Sequence, residues 1–319
     1  MSISDKDKKP LIILTGPTAV GKTDLSIKLA KKINGEIISA DSMQVYRTMD
    51  IGTAKVTKEE MDGIPHHLID IMEPDEEFNI YKFKKFTCDS IDKIYSNSHM
   101  PIIAGGTGFY IQSVLYDIEF DESEVLSDFR IEKEEYAKKY GADALHDELR
   151  KVDPVSADAI HPNNVKRVIR ALEYFAQNGK PISEHNKEQS QNESPYNFLY
   201  FVLTTERDNL YKRIDKRVDI MLENGLVDEV KRLHEKYHNP ELLSMQGIGY
   251  KEIIEYLDGK LTLSEATDLL KKNTRHFAKR QLTWFRREKN VTWIDKDKFF
   301  DDNEILDYMY SLCTQKGII

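Results

Sequence analysis

The stretch GPTAVGKTDLSIKLAKKING, Gly16 to Gly35, decides the architecture. Its first eight residues fit G-x-x-x-x-G-K-[ST]. The apolar run Leu11–Thr15 precedes it, and Leu25, Leu29 and Ile33 follow at helical spacing until Asn34-Gly35 supplies a stop. Strand, glycine loop and helix in that order open an α/β sheet. Gly16 and Gly21 let the backbone curl so that its N–H groups converge on an anion, and the helix N-terminus adds partial positive charge. The segment therefore predicts a phosphate cradle of Gly16, Pro17, Thr18, Ala19, Val20, Gly21, Lys22 and Thr23. Lys22 would neutralise phosphate oxygens and Thr23 would ligate Mg²⁺. The pattern does not name the group that the phosphates carry.

Outward from this loop, Glu36–Ala40, Pro101–Ala104 and Asn197–Thr204 are continuous apolar runs of the kind that form parallel strands covered on both faces, and Val291–Ile294 suggests one more. Between about Leu115 and Pro195 the chain turns charged and helical. Asn164–Gln177 places Val165, Val168, Ile169, Leu172 and Phe175 on one face, with Lys166, Arg167 and Arg170 off it. The polar stretch Asn186–Pro195 then leads back to a strand. The expected fold is α/β: a P-loop NTPase-like core (1–115 and 196–319) with a parallel sheet flanked by helices, and a mainly helical insertion (116–195).

A P-loop hydrolase carries an acid at the end of a second apolar strand to hold Mg²⁺. Here the run Pro101–Ala104 ends in Gly105-Gly106-Thr107-Gly108, and Asp70 is a poor substitute because its run is short and polar. The well-placed acid is Asp41, directly after Glu36–Ala40, at the sheet end that faces a ligand crevice. A carboxylate there either binds the metal or takes a proton from a nucleophile, or it merely caps the following turn. The adjacent His66 and His67 have no third ligand at metal spacing and are expected to be structural.

Composition narrows the rest. The chain has 319 residues, 40% of them hydrophobic and 32% charged, and a net charge of −9 that argues weakly against a nucleic-acid partner. That average hides Lys271–Lys289, where eight basic residues face only Glu288. The aromatic residues interleaved there are expected mostly to pack, leaving the charges for a polyanion. The start MSISDKDKKP lacks a signal-peptide core, no run reaches membrane-spanning length, and Cys88 and Cys313 suggest neither a disulfide framework nor zinc. A cytoplasmic protein with no membrane partner is expected.

The ordered set GPTAVGKT, DSMQVYR (41–47), DIGTAK (50–55), HHLID (66–70), AGGTGFY (104–110), RALE (170–173), GIGYKE (247–252) and KRQLTWFR (279–286) closely resembles the bacterial tRNA dimethylallyltransferase (tRNA isopentenyltransferase) family from Leu11 to about Arg287. The resemblance implies transfer of the dimethylallyl group of dimethylallyl diphosphate to N6 of adenosine 37, just 3′ of the tRNA anticodon, with Mg²⁺. It implies that the loop grips a prenyl diphosphate and that Asp41 is the base, sharing with Thr23 a role at the metal. Arg217, in LYKRIDKRVDIM (210–221), is matched to the diphosphate, with Arg213 one helical turn away as the alternative. Contacts with the anticodon stem-loop are implied for Asp41, Ser42, Met43, Gln44 (to the adenine edge), Thr107, Arg130, Lys166, Arg167, Val168, Ile169, Arg170, Gln246, Gly247, Ile248, Gly249, Tyr250 and Lys251. A monomer is expected. The residues themselves leave two other readings open, a small-molecule kinase or adenylate prenyltransferase and an RNA-binding ATPase. The basic tracts disfavour the first and the missing second-strand acid disfavours the second.

Overall fold

The computed structural model describes residues 8–120, 127–239 and 241–319; the polar start Met1–Asp7 lies outside them. Six strands form one wholly parallel sheet: β1 (Lys9–Thr15), β2 (Gly35–Ala40), β3 (His66–His67), β4 (Met100–Gly105), β5 (Tyr196–Thr204) and β6 (Val291–Asp295), in the order β3-β2-β4-β1-β5-β6. Parallel neighbours require crossover connections, and helices supply them on both faces. The middle of the central strand β1 is continuously apolar because both faces are covered: Leu11, Ile12, Ile13 and Leu14 are fully buried. β1 pairs in register with β4 from Ile12 opposite Ile102 to Thr15 opposite Gly105, and with β5 from Lys9 opposite Tyr196 to Thr15 opposite Val202. The strand ends that precede the glycine loop and the Gly105-Gly106 turn are therefore level.

The two-residue β3 at the sheet edge has no hydrophobic run and is held by a charge network instead. His67 Nε2 lies 2.6 Å from Glu36 Oε2 and His99 Nδ1 lies 2.5 Å from Glu36 Oε1. Burial alone would raise the Glu36 carboxyl, but these hydrogen bonds and that of Asn97 hold it below the usual carboxylate range. His66 Nδ1 donates to the Ile64 carbonyl (2.8 Å), so both histidines are structural, and no cluster of three His, Cys, Asp or Glu side chains suited to a metal occurs among the described residues.

The chain divides into two compact units, Met1–Leu115 with Pro195–Ile319, and Tyr116–Ser194. In the second unit the helices Ala142–Val152, Pro154–Ala159 and Val165–Asn178 bury Leu145, Leu149, Ala157, Val168, Ile169 and Leu172 together. Asp153, fully buried, caps the helix Pro154–Ala159 through Ser156 N and also accepts from Ser183 N and Oγ. No helix among the described residues is long and apolar enough to cross a membrane.

Candidate active site

The site lies at the C-terminal ends of β1, β2, β4 and β5, where an open parallel sheet exposes backbone and helix N-termini together. After β1 the loop turns sharply at Gly16 (φ 151°), where a methyl group would meet the Leu203 carbonyl at 2.6 Å. It turns again at Gly21 (φ 95°), in the left-handed region that disfavours side chains, and delivers the chain into the helix Lys22–Ile33. Lys22 Nζ folds back onto the carbonyls of Gly16 (3.0 Å) and Pro17 (2.9 Å). Burial, and then the Arg217 guanidinium, push its ammonium from 10.5 down to about 7, with Asp41 pulling the other way. Thr23 is exposed one residue further on.

The helix Arg207–Glu223 brings both candidate arginines to this loop. Arg213 Nε donates to the Ala19 carbonyl (2.7 Å), and Arg217 Nη1 lies 3.5 Å from Thr18 Oγ1. Burial foremost and Arg213 next lower Arg217 from its usual range, while Asp41, Asp24 and Glu60 oppose them. An arginine stays protonated under such pressure, so a charged guanidinium faces the loop. Both arginines therefore meet the glycine loop.

Asp41 follows β2 directly. Its Oδ1 accepts from Met43 N (2.9 Å) and Gln44 N (3.4 Å), so it does cap the following turn. Oδ2 accepts from no group among the described residues, and the charge acts on both Lys22 and Arg217. Capping thus orients one oxygen and leaves the other available. Thr107 N donates to the Ala40 carbonyl (3.1 Å), which sets the turn after β4 beside that after β2. The Tyr110 hydroxyl is raised by burial and then by Tyr46 and Asp41. It stays neutral across the physiological range.

The geometry shows what several of the expected RNA-contact residues already touch within the chain. The Gln44 amide is committed inward: Oε1 lies 3.1 Å from Ser39 Oγ, and Nε2 donates to the Thr53 (3.4 Å) and Ala54 (3.2 Å) carbonyls. It ties its turn to the Asp50–Lys55 loop. Val168 and Ile169 are core residues, so Lys166, Arg167 and Arg170 supply the accessible side chains of their segment. Arg130 spans the buried Glu173 carboxylate with Nε and Nη2, both at 2.8 Å, and Arg170 Nη1 joins at 3.2 Å. That carboxylate needs the pair to remain charged, which makes Arg130 first a structural partner. Tyr250 is fully buried and donates to Glu229 Oε1 (2.7 Å), while Gly249 N is taken by Glu252 Oε2 (2.8 Å). Gly247 lies against Met43, where a methyl group would meet Cε at 2.5 Å, and Lys251 is part-exposed 3.7 Å from Glu252. Ser42, Met43 and Ile248 are half-buried, and Gln246 is exposed.

The basic C-terminal tract is also thinned. On the helix Leu263–Phe285, Lys271 pairs with Asp219 and Arg275 with Asp215, leaving Lys272, Lys279, Arg280, Arg286, Arg287 and Lys289 exposed. Its rings pack: Phe285 is fully buried, and Trp284 fills the space that a methyl group on Gly108 would need.

Two features escaped sequence reasoning. Gln281 is buried and latches two loops, its Oε1 accepting from Thr18 N (2.8 Å) and its Nε2 donating to the Gly106 carbonyl (2.9 Å). A glutamine sharing the helical stripe of Ala278 and Phe285 was the available signal, since a polar group on an apolar face must be satisfied. The buried Glu229 carboxylate accepts from the N–H groups of Asp50 (3.0 Å), Ile51 (2.8 Å) and Gly52 (3.0 Å), clamping the DIGTAK loop. Lys55 completes that loop by donating to the Tyr46 carbonyl, Asp50 and Asp70. Asp70 is thereby spent on a structural ion pair.

Fold and site together define a transferase-type α/β protein of P-loop-like fold whose glycine loop faces a carboxylate at the end of the second strand. The family model for IPP transferase matches residues 44–288, and that for isopentenyl transferase matches residues 9–76. The chain belongs to the IPP transferase family. It is 60% identical over 311 residues to the tRNA dimethylallyltransferase of Lachnoclostridium phytofermentans, covering 98% of this chain and 99% of that one. It is 50% identical to the same-named protein of Halalkalibacterium halodurans, covering 94% and 95%. Among solved structures, the full-length tRNA isopentenylpyrophosphate transferase of Bacillus halodurans is 48% identical with a TM-score of 0.73, over 97% of this chain and 98% of the other. A eukaryotic dimethylallyltransferase acting on tRNA superposes with a TM-score of 0.83 at 31% identity, over 97% and 80%.

Proposed function

We propose that this protein transfers the dimethylallyl group of dimethylallyl diphosphate to N6 of adenosine 37 in tRNA, releasing diphosphate. The observation that carries the reading is the unpartnered Asp41 Oδ2 beside a phosphate loop ringed by Lys22, Arg213 and Arg217. An adenine amine is a weak nucleophile because its lone pair is delocalised into the ring. As the N6–C1 bond forms and the C1–O bond of the donor breaks, the amine proton passes to Asp41. The electron pair of the broken bond leaves with the diphosphate, whose charge the loop N–H groups, Lys22 and the arginines are preorganised to meet.

Thr23 and Asp41 offer hard oxygen donors, which suit Mg²⁺ bound largely through phosphate and water oxygens. When bound, the ion would further neutralise the departing diphosphate. The target base must leave its stack to reach Asp41, at a cost met by contacts to the loop and its phosphates. Lys166, Arg167 and Arg170, with the exposed basic residues on and just after the helix Leu263–Phe285, carry that role. The protein acts as a cytoplasmic monomer in this reading.

The test is an incubation with Mg²⁺, labelled dimethylallyl diphosphate and either unmodified tRNA, AMP or ATP. Label enters tRNA and is lost when adenosine 37 is replaced by guanosine. Label in AMP alone, or ATP turnover without prenyl transfer, would refute the reading.

A further inference from the structure

The turn after β6 carries a lysine that neither the loop motif nor the matched family segments assign. Lys296 reaches back to the start of the helix Lys22–Ile33. A methyl group on Gly21 would lie 3.0 Å from Lys296 Nζ and 3.1 Å from Arg213 Nη2. The two cations are thus separated by no more than the sum of those distances, against the loop glycine next to Lys22. The Lys296 side chain is only 15% exposed, unlike a lysine splayed into solvent. Among the described residues its one bonded acid is Asp302, at 2.8 Å, which also faces Lys28 at 4.0 Å.

The same turn fixes the second cation. Asp297 Oδ2 accepts from Thr205 Oγ1 (2.7 Å) and Glu206 N (2.5 Å), holding the start of the helix Arg207–Glu223 that presents Arg213. Lys22, Arg213, Arg217 and Lys296 therefore converge on one helix N-terminus, where like charges repel unless an anion joins them. We propose that Lys296 is a diphosphate-binding residue that engages the loop-bound diphosphate from the β6 side, together with Arg213. This rests on the diphosphate reading above.

Calorimetric titration of the full chain with Mg²⁺ and inorganic pyrophosphate tests it, alongside single-turnover prenyl transfer. Lys296→Met weakens pyrophosphate about tenfold or more, the scale of removing one hydrogen bond to a charged group. Transfer at subsaturating donor slows in step, and Lys296→Arg recovers most of both. Asp302→Asn breaks the same ion pair yet keeps the cation, so it binds pyrophosphate as well as the parent or better. Wild-type affinity in Lys296→Met, or an equal loss in Asp302→Asn, overturns the proposal. Should the Met variant not fold, Lys296→Gln carries the same comparison. A parent protein that transfers no prenyl group and binds no pyrophosphate would instead overturn the diphosphate reading itself.

Discussion

Lys22 should take up a proton when diphosphate binds. In the free protein its ammonium sits near 7 rather than 10.5, because burial and then Arg217 oppose its charge more than Asp41 supports it. One pH unit above that value, about nine in ten molecules hold a neutral Lys22, each unit being worth about 1.4 kcal/mol. A polyanion in the loop reverses the balance and restores the ammonium. At pH 8 binding therefore draws in about 0.9 of a proton at this residue, and affinity falls about tenfold per unit as pH rises above 7. The sign agrees with linkage for the free chain. The unfolded state holds this proton between about 7 and 10.5 while the folded state does not, so the Lys22 contribution to stability rises with pH over that window. Calorimetry with pyrophosphate in buffers of different ionisation enthalpy reads the proton count directly. Comparison with Lys22→Met cancels the titration of the ligand. Equal proton uptake by the two proteins at pH 8 would refute the reasoning.

Asp41→Asn keeps an oxygen to cap Met43 and Gln44 but no basic carboxylate. Single-turnover transfer should fall about 10²- to 10⁴-fold with pyrophosphate affinity little changed, and a near-parental rate removes Asp41 as the base. Gln281→Leu strands Thr18 N and the Gly106 carbonyl, at about 1–3 kcal/mol for each buried group left unpaired. Thermal unfolding should show the loss and transfer should slow, whereas an unchanged melting temperature argues against the latch. Replacing Lys166 and Arg167 together with Ala, both exposed and off the core face, should weaken tRNA binding. The slope of log affinity against log salt should drop by about 0.7–0.9 for each phosphate that is no longer neutralised. An identical slope places the RNA elsewhere.

The glycine loop, its flanking strand and helix, and four further strands were legible because each is written in contiguous residues. An apolar run covered on both faces has no alternative pattern, and Gly16 and Gly21 stand where only glycine fits. β3 was not legible, since its two histidines, His67 on Glu36 and His66 on the Ile64 carbonyl, have no hydrophobic period. Asp41 could be picked out from its position after β2, but its division between a capping oxygen and an unpartnered one required the turn itself.

By itself, then, the sequence determined the parallel α/β core, the phosphate loop and the acid that follows the second strand, because local patterning and backbone sterics suffice for these. Only the tertiary structure decided which polar groups are already spent. Gln44 and Tyr250 turn inward, Arg130 serves a buried glutamate, and Gln281 and Lys296 arrive at the loop from some 260 or more residues away. The reason is that hydrogen bonds and charges are satisfied by whatever folding brings within about 3 Å, and no spacing along the chain records those distances.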